Sequence, residues 1–132
     1  MKFRDFIFKK RNTMTEKDKR WNLFIEDICS RELSELSPIQ KDAVLCFWYD
    51  AEMNGGGHAG YFECYPNTVP EELAVALTKV AGKEFADNYR KALEIGEEDD
   101  YEETDDAFYS FLPELSEYLA EYVEKNKEEI FE

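Results

Sequence analysis

Apolar residues recur at helical spacing along most of the chain. Trp21, Phe24, Ile25, Ile28 and Cys29 fall at i, i+3, i+4, i+7 and i+8, and Leu33 and Leu36 extend the stripe. Thr15 with Asp18 marks the start of this first helix. Ser37-Pro38-Ile39-Gln40 is a stronger start: Ser37 caps, Pro38 suits the first helical position and Gln40 completes a capping box. The helix it opens carries Ile39, Ala43, Val44, Leu45, Cys46, Phe47, Trp48, Tyr49 and Ala51 and is apolar nearly all round, which predicts the central buried element. Asn54, Gly55 and Gly56, followed by Gly57, form the structural turn that stops it, because these residues tolerate the positive φ of a tight turn.

A short aromatic segment, His58, Tyr61, Phe62, Cys64 and Tyr65, ends at Pro66. Thr68-Val69-Pro70-Glu71 opens a helix with Leu73, Ala74, Leu77, Val80 and Ala81 inward, ended by Gly82. A further helix turns Phe85, Ala86, Tyr89, Ala92 and Leu93 inward and stops at Gly96. Residues 97–106 hold eight acids in ten positions; their mutual repulsion predicts a loop. The last helix holds Phe108, Phe111, Leu112, Leu115, Leu119, Tyr122 and Val123, with Pro113 kinking or restarting it. Phe3 to Phe8 is the one weak strand candidate. The pattern therefore predicts an all-α fold: a single compact domain of about six helices around a central buried helix, with an Asn-Gly-Gly turn. Its expected core is Trp21, Phe24, Ile28, Val44, Phe47, Trp48, Leu73, Leu77, Phe85, Tyr89, Phe108, Phe111, Leu115 and Leu119.

Composition supports a real core: among 132 residues, 43% are hydrophobic and 20 are aromatic. Charge changes the picture more. The net charge is −15 and unevenly spread: residues 1–20 carry +5 and residues 21–132 carry −20. This divides the chain into a basic N-terminal arm with a helix start (1–20) and an acidic helical domain (21–132). The acidic balance argues against direct binding of nucleic acid or of an anionic membrane surface, since phosphates are repelled. No apolar run is long enough for a signal sequence or a membrane span. Three cysteines, Cys29, Cys46 and Cys64, without a C-x-x-C pair, read as reduced and mostly buried, and so as cytoplasmic.

Candidate chemistry is sparse. Glu114, Glu117, Glu121, Glu124 and Glu128 follow one another at spacings of 3, 4, 3 and 4, which aligns them on one helical face in a row about 21 Å long. Such a row of negative charge has the electrostatic outline of a nucleic-acid backbone and suits a basic surface. Glu114, Glu117, Glu121 and Glu124, with Asp99, Asp100, Asp105 and Asp106 of the acid run, are the candidate partner-contacting residues. The run lacks the glycine of an EF-hand loop, and Gly55-Gly56-Gly57 lacks the Lys-Ser/Thr ending of a phosphate loop. His58, the only histidine, has no second histidine for a metal pair and no nucleophile signature beside it; it reads as a hydrogen-bonded helix cap. No catalytic residue, metal site or cofactor is expected.

With Asn54-Gly55-Gly56 placed between the Trp48 helix and the Tyr61-Phe62 aromatics, the chain resembles the small helical domain family named for a DNA-mimic protein. The likeness runs from about Trp21 to Phe131. It includes the Ser37-Pro38-Ile39-Gln40 start, the Glu52-Met53-Asn54-Gly55-Gly56 turn, the Leu73/Leu77 helix, the Ala86–Ala92 helix and the Tyr122, Asn126 and Phe131 end. The family commonly has an aromatic after the turn and a Gln before a Tyr/Phe pair; here Gly57, Ala59 and Gly60 precede Tyr61-Phe62. The resemblance implies an all-α fold and, from the DNA mimic, a dimer that blocks a helix-turn-helix repressor. Most members have no assigned function, and no partner-contacting residue is carried over.

Four readings follow. The first is an acidic, non-enzymatic protein-binding domain that occupies the basic nucleic-acid-binding surface of a regulator, with a homodimer compatible. The second is an immunity-type inhibitor of a toxin such as a nuclease. The third is a hydrolase using His58 or an acid cluster. The fourth is a module whose acidity is incidental.

Overall fold

The computed structural model describes residues 14–131. The Phe3–Phe8 strand candidate and most of the basic arm lie outside them. The described residues form eight α-helices and no strand. Helix α1 (Glu16–Glu26) opens on Thr15, whose side chain accepts the N–H of Asp18 while Asp18 returns the bond. Phe24 is its fully buried residue. The stripe through Ile28, Leu33 and Leu36 is not one helix: the chain leaves α1 at Asp27 and continues as two short 3₁₀ turns, Ile28–Ser30 and Leu33–Glu35. Residues 16–20 of the expected arm are the first part of α1, so the basic segment enters the folded body.

Helix α2 (Pro38–Met53) is the central element and has the expected capping box. Gln40 does more than close it. Its side-chain oxygen accepts the Ser37 N–H at 2.9 Å, and its amide donates to the Ile130 carbonyl at 2.8 Å, tying the chain's last helix to the first turn of α2. Ala43, Val44, Leu45, Cys46, Tyr49 and Met53 are buried on several sides of α2. Tyr49 is the hub of an aromatic core, with ring centroids 5.2 Å from Tyr61, 5.5 Å from Tyr89 and 5.7 Å from Phe108, all edge-on. A second group, Trp21, Phe24 and Phe47, closes the α1 side.

The aromatic segment after the turn is itself a helix, α3 (Gly57–Cys64). The turn over residues 54–56 does not need positive φ: Asn54 is right-handed at −80° and Gly56 sits at −103°. The left-handed position falls on Gly57, at +67°. Helices α4 (Pro70–Ala81) and α5 (Lys83–Ile95) follow, joined through Gly82 at φ +97°.

The acid run is not a loop. Gly96–Asp99 form a 3₁₀ turn, Asp100 and Tyr101 are left-handed, and α6 (Glu102–Ser110) begins inside the run. Two effects outweigh the repulsion. Acids in a first helical turn are favoured by the helix dipole, and Asp99 Oδ2 accepts the Glu103 N–H at 3.0 Å. Asn88 of α5 donates to the Thr104 carbonyl at 2.8 Å and fastens α6 beneath. Pro113 lies in a break, so the chain restarts as α7 (Leu115–Lys125), and a separate short helix, α8 (Lys127–Ile130), closes it. With the restart at Pro113 counted among the expected six, helices α3 and α8 raise the number to eight.

Of the expected core, Trp21, Phe47, Trp48 and Phe111 are only partly buried; the other ten are buried. Tyr49, Met53, Tyr61 and Ile130 join them. Cys64 is exposed, contrary to expectation, while Cys46 is buried and Cys29 half-buried; all three are free thiols. No helix among the described residues is long and apolar enough to cross a membrane.

Candidate functional site

Two features stand out: a buried polar chain under α3, and the distribution of carboxylates over the surface. His58, at the start of α3, is wholly buried. Its Nδ1 lies 2.7 Å from Asp105 Oδ1 and its Nε2 lies 2.6 Å from the Tyr49 hydroxyl. A carboxylate only accepts, so Nδ1 carries a proton; with the ring neutral through burial, Nε2 accepts from the Tyr49 hydroxyl. Burial holds the His58 pKa below its ordinary value, with Asp105 opposing. Burial also pushes the Tyr49 phenol well above its ordinary value, which keeps the donor protonated. Both ring nitrogens are occupied by protein, leaving neither for a substrate.

Burial pushes the Cys29 thiol up to about 12 and Cys46 well above its ordinary value, the reverse of what a nucleophile needs. No group of three or more His, Cys, Asp or Glu among the described residues is placed to hold a metal ion.

The candidate acids divide. Asp105 points inward: the same Oδ1 also accepts the His58 backbone N–H at 3.0 Å, so this carboxylate holds the fold together. Asp99 caps α6. Asp100 and Asp106 are exposed and, with Glu97, Glu98 and Glu102, have no ion-pair partner among the described residues. Because the run is a 3₁₀ turn leading into a helix, these charges stand on a fixed backbone.

The five-glutamate row is shorter than its spacing predicts. The helix stops at Asn126, whose side chain donates to the Tyr122 carbonyl at 2.9 Å, so Glu128 belongs to α8. Glu124 is gripped by Arg20 through both carboxylate oxygens, and Lys127 sits 3.6 Å away. The Arg20 hydrogen bonds hold its carboxyl below the usual range. Glu114, Glu117 and Glu121 remain exposed and without ion-pair partners among the described residues, spanning about 10 Å of α7. Glu117 Oε2 accepts the Glu114 N–H at 3.0 Å, which fixes the start of that helix.

Asp50 of α2 was not among the candidates. Burial pushes its carboxyl up to about 6, against a hydrogen bond from Asn54, and the charge of Glu114 adds to the rise. Only the tertiary approach of α7 to the end of α2 brings these two acids together, so no local sequence signal marks the pair. Unmatched acids also stand elsewhere: Glu26, Glu32, Glu35, Glu63, Glu84, Glu94, Glu128 and Glu129 are exposed and have no ion-pair partner among the described residues. The groove of about 440 Å³ between α2 and α4, floored by Leu36, Leu45 and Val75, is rimmed by the pairs Lys41–Glu72 and Lys79–Asp42.

An all-α bundle closed on a buried tyrosine–histidine–aspartate chain, with unmatched acids over its surface and densest around α6 and the start of α7, defines a small acidic helical domain. The model of the DMP19-like protein family matches residues 34–126, and the chain belongs to that family. The match runs from the second 3₁₀ turn to the Asn126 stop of α7; it leaves out α1 and α8 and is narrower than the stretch from Trp21 to Phe131 over which the sequence resembles the family. No curated protein and no solved structure matches the chain.

Proposed function

We propose that the protein is a non-enzymatic binding domain whose acidic α6–α7 surface occupies the basic, nucleic-acid-binding surface of another protein. The observation that carries this reading is the concentration of exposed carboxylates without ion-pair partners among the described residues in one stretch of the chain: Glu97, Glu98, Asp100, Glu102 and Asp106 around the start of α6, and Glu114, Glu117 and Glu121 at the cap and on the first turns of α7. Elements of regular structure hold the backbone beneath them, so binding has to order their side chains but not the chain itself. Uncompensated carboxylates on a body of net charge −20 steer a basic partner over long range. The occupied ring nitrogens of His58 and the raised thiol pKa values speak for binding rather than turnover. Membership of a family named for a DNA mimic agrees with this reading.

The test is an affinity capture on the immobilised full chain at about 50 and about 200 mM salt, with duplex DNA as competitor. A basic DNA-binding protein should be retained at the lower salt and released by either the higher salt or the DNA. Retention that is indifferent to both would rule out charge mimicry. A captured toxin would instead favour an immunity role.

A further inference from the structure

Leu112 is 79% exposed, more than any other large apolar side chain among the described residues, and it lies between α6 and α7 among the unmatched acids. It is not a loose tip. On its N-terminal side Phe111 is turned in against Phe85, ring centroids 5.0 Å apart and edge-on. On its C-terminal side Glu114 is held by Glu117. Tyr109, 52% exposed, donates its hydroxyl to the Met53 carbonyl, which fixes the ring while leaving its face open. Next to Leu112, Pro113 and Tyr118 line a depression of about 280 Å³ with Glu117 and Glu121 on its walls. The exposed apolar residues Tyr109, Leu112 and Pro113 are thus interleaved along this stretch with the exposed acids Asp106, Glu114, Glu117 and Glu121. Apolar contacts set among polar ones are the usual anatomy of a specific protein interface.

A purely anionic surface holds any basic protein, and discrimination needs a contact that charge alone does not supply. DNA has such a contact. Phosphates position a protein, and the thymine methyl in the major groove meets an apolar side chain of the element that reads the bases. We propose that Leu112, supported by Pro113 and Tyr109, is the specificity-determining contact of the acidic surface, and that its occupant is a basic, amphipathic helix with an apolar residue between its cationic flanks. The carboxylates take the place of the phosphates and Leu112 the place of the methyl. This rests on the reading of the surface as a nucleic-acid mimic and adds the kind of element it receives.

Two helix-stabilised synthetic peptides of equal positive charge test the inference on the full-length protein. One carries leucines on the face between its cationic flanks; the other carries serines there. By fluorescence anisotropy the leucine peptide should bind about tenfold more tightly. Leu112→Ser should bring that ratio close to one while both peptides keep their salt dependence. Glu117→Gln with Glu121→Gln should do the reverse, weakening both peptides alike, flattening the salt dependence and keeping the ratio. Equal, salt-sensitive binding of the two peptides by the unaltered protein would overturn the apolar contact and leave the electrostatic reading standing. A ratio that survives Leu112→Ser would overturn it too. Binding of neither peptide at low salt would overturn both.

Discussion

His58 and Asp105 are joined twice: one carboxylate oxygen accepts the ring Nδ1–H at 2.7 Å and the backbone N–H at 3.0 Å. The residues are 47 positions apart, on α3 and α6, so this clasp sets how the two helices meet. It also relieves a local problem. The first N–H groups of a helix have no partner within it, and α3 has no side-chain cap of its own. Asp105 acts as that cap from another helix, and its negative charge faces the positive end of α3.

Removing the carboxylate should therefore cost more than a surface change. Asp105→Ala leaves a buried imidazole N–H and a helix-end N–H unsatisfied, a loss of about 2 kcal/mol. Asp105→Asn keeps an accepting oxygen at the same place and should lose less. Urea unfolding of the two variants beside the unaltered protein checks both. Variants as stable as the unaltered protein would mean that the clasp contributes nothing, and an Asn variant as weak as the Ala one would mean that the neutral amide cannot replace the carboxylate.

Gly57 and Gly60 should respond to alanine in opposite directions. At Gly57 the backbone is left-handed, which costs an alanine about 1–2 kcal/mol. Its methyl would also stand 2.4 Å from Asp105 Oδ2, so the clasp would have to give way. At Gly60, inside α3, the methyl would meet only Glu52 Oε2 at 3.6 Å. Alanine there gains helix propensity, about 0.5–1 kcal/mol. Gly57→Ala should lower the thermal midpoint and Gly60→Ala should raise it.

The same glycines show where the sequence was readable. Caps and strong periodicity were: Thr15 with Asp18, Ser37 with Gln40 and the Leu73/Leu77 stripe all stand in the structure as the pattern predicts. Helix α3 was not, because two glycines and a histidine in eight residues hide its propensity, and the acceptor at its start, Asp105, comes from 47 residues away. Repulsion alone predicts a loop for the acid run, but the helix dipole favours acids in a first turn, so Glu102, Glu103 and Asp105 are themselves a start signal. The glutamate row on α7 was correct in spacing and wrong in extent. Asn126 after Lys125 was a legible stop, whereas the Arg20–Glu124 pair spans 104 positions and has no local signature. Spacing alone puts Leu112 among helical residues, whereas in the structure it lies in the break before α7 and is exposed.

The buried imidazole links stability to pH. Its folded pKa lies below the unfolded 6.5, mainly through burial. Above 6.5 both states are neutral and its contribution is complete. As pH falls, the unfolded chain takes up a proton before the folded one, and stability is lost down through the depressed folded value. His58→Gln should therefore be less stable than the unaltered protein near about pH 8, with the gap narrowing towards about pH 5. Urea midpoints at those two pH values measure it; a gap of constant size would mean that His58 does not titrate between them.

Asp50 works in the opposite direction. Burial raises its folded pKa from 3.8 to about 6, with Glu114 adding its charge. Below 3.8 the carboxyl is protonated in both states and its contribution is fully present. As pH rises towards 6 the unfolded chain gives up its proton first, and the contribution is lost. At neutral pH the folded protein carries an anion where a neutral group would sit better. Asp50→Asn keeps the shape and removes the charge. It should stabilise the protein by about 1 kcal/mol near neutral pH, after allowing for solvent screening of a partly exposed group. The gain should fade as pH is lowered towards 4, and it should shrink in a Glu114→Gln background, since part of the penalty is the mutual repulsion of the two carboxylates. Urea titrations of the four proteins in that cycle decide the matter. A gain independent of pH would assign the effect to packing, and a gain unchanged by Glu114→Gln would assign it to burial alone.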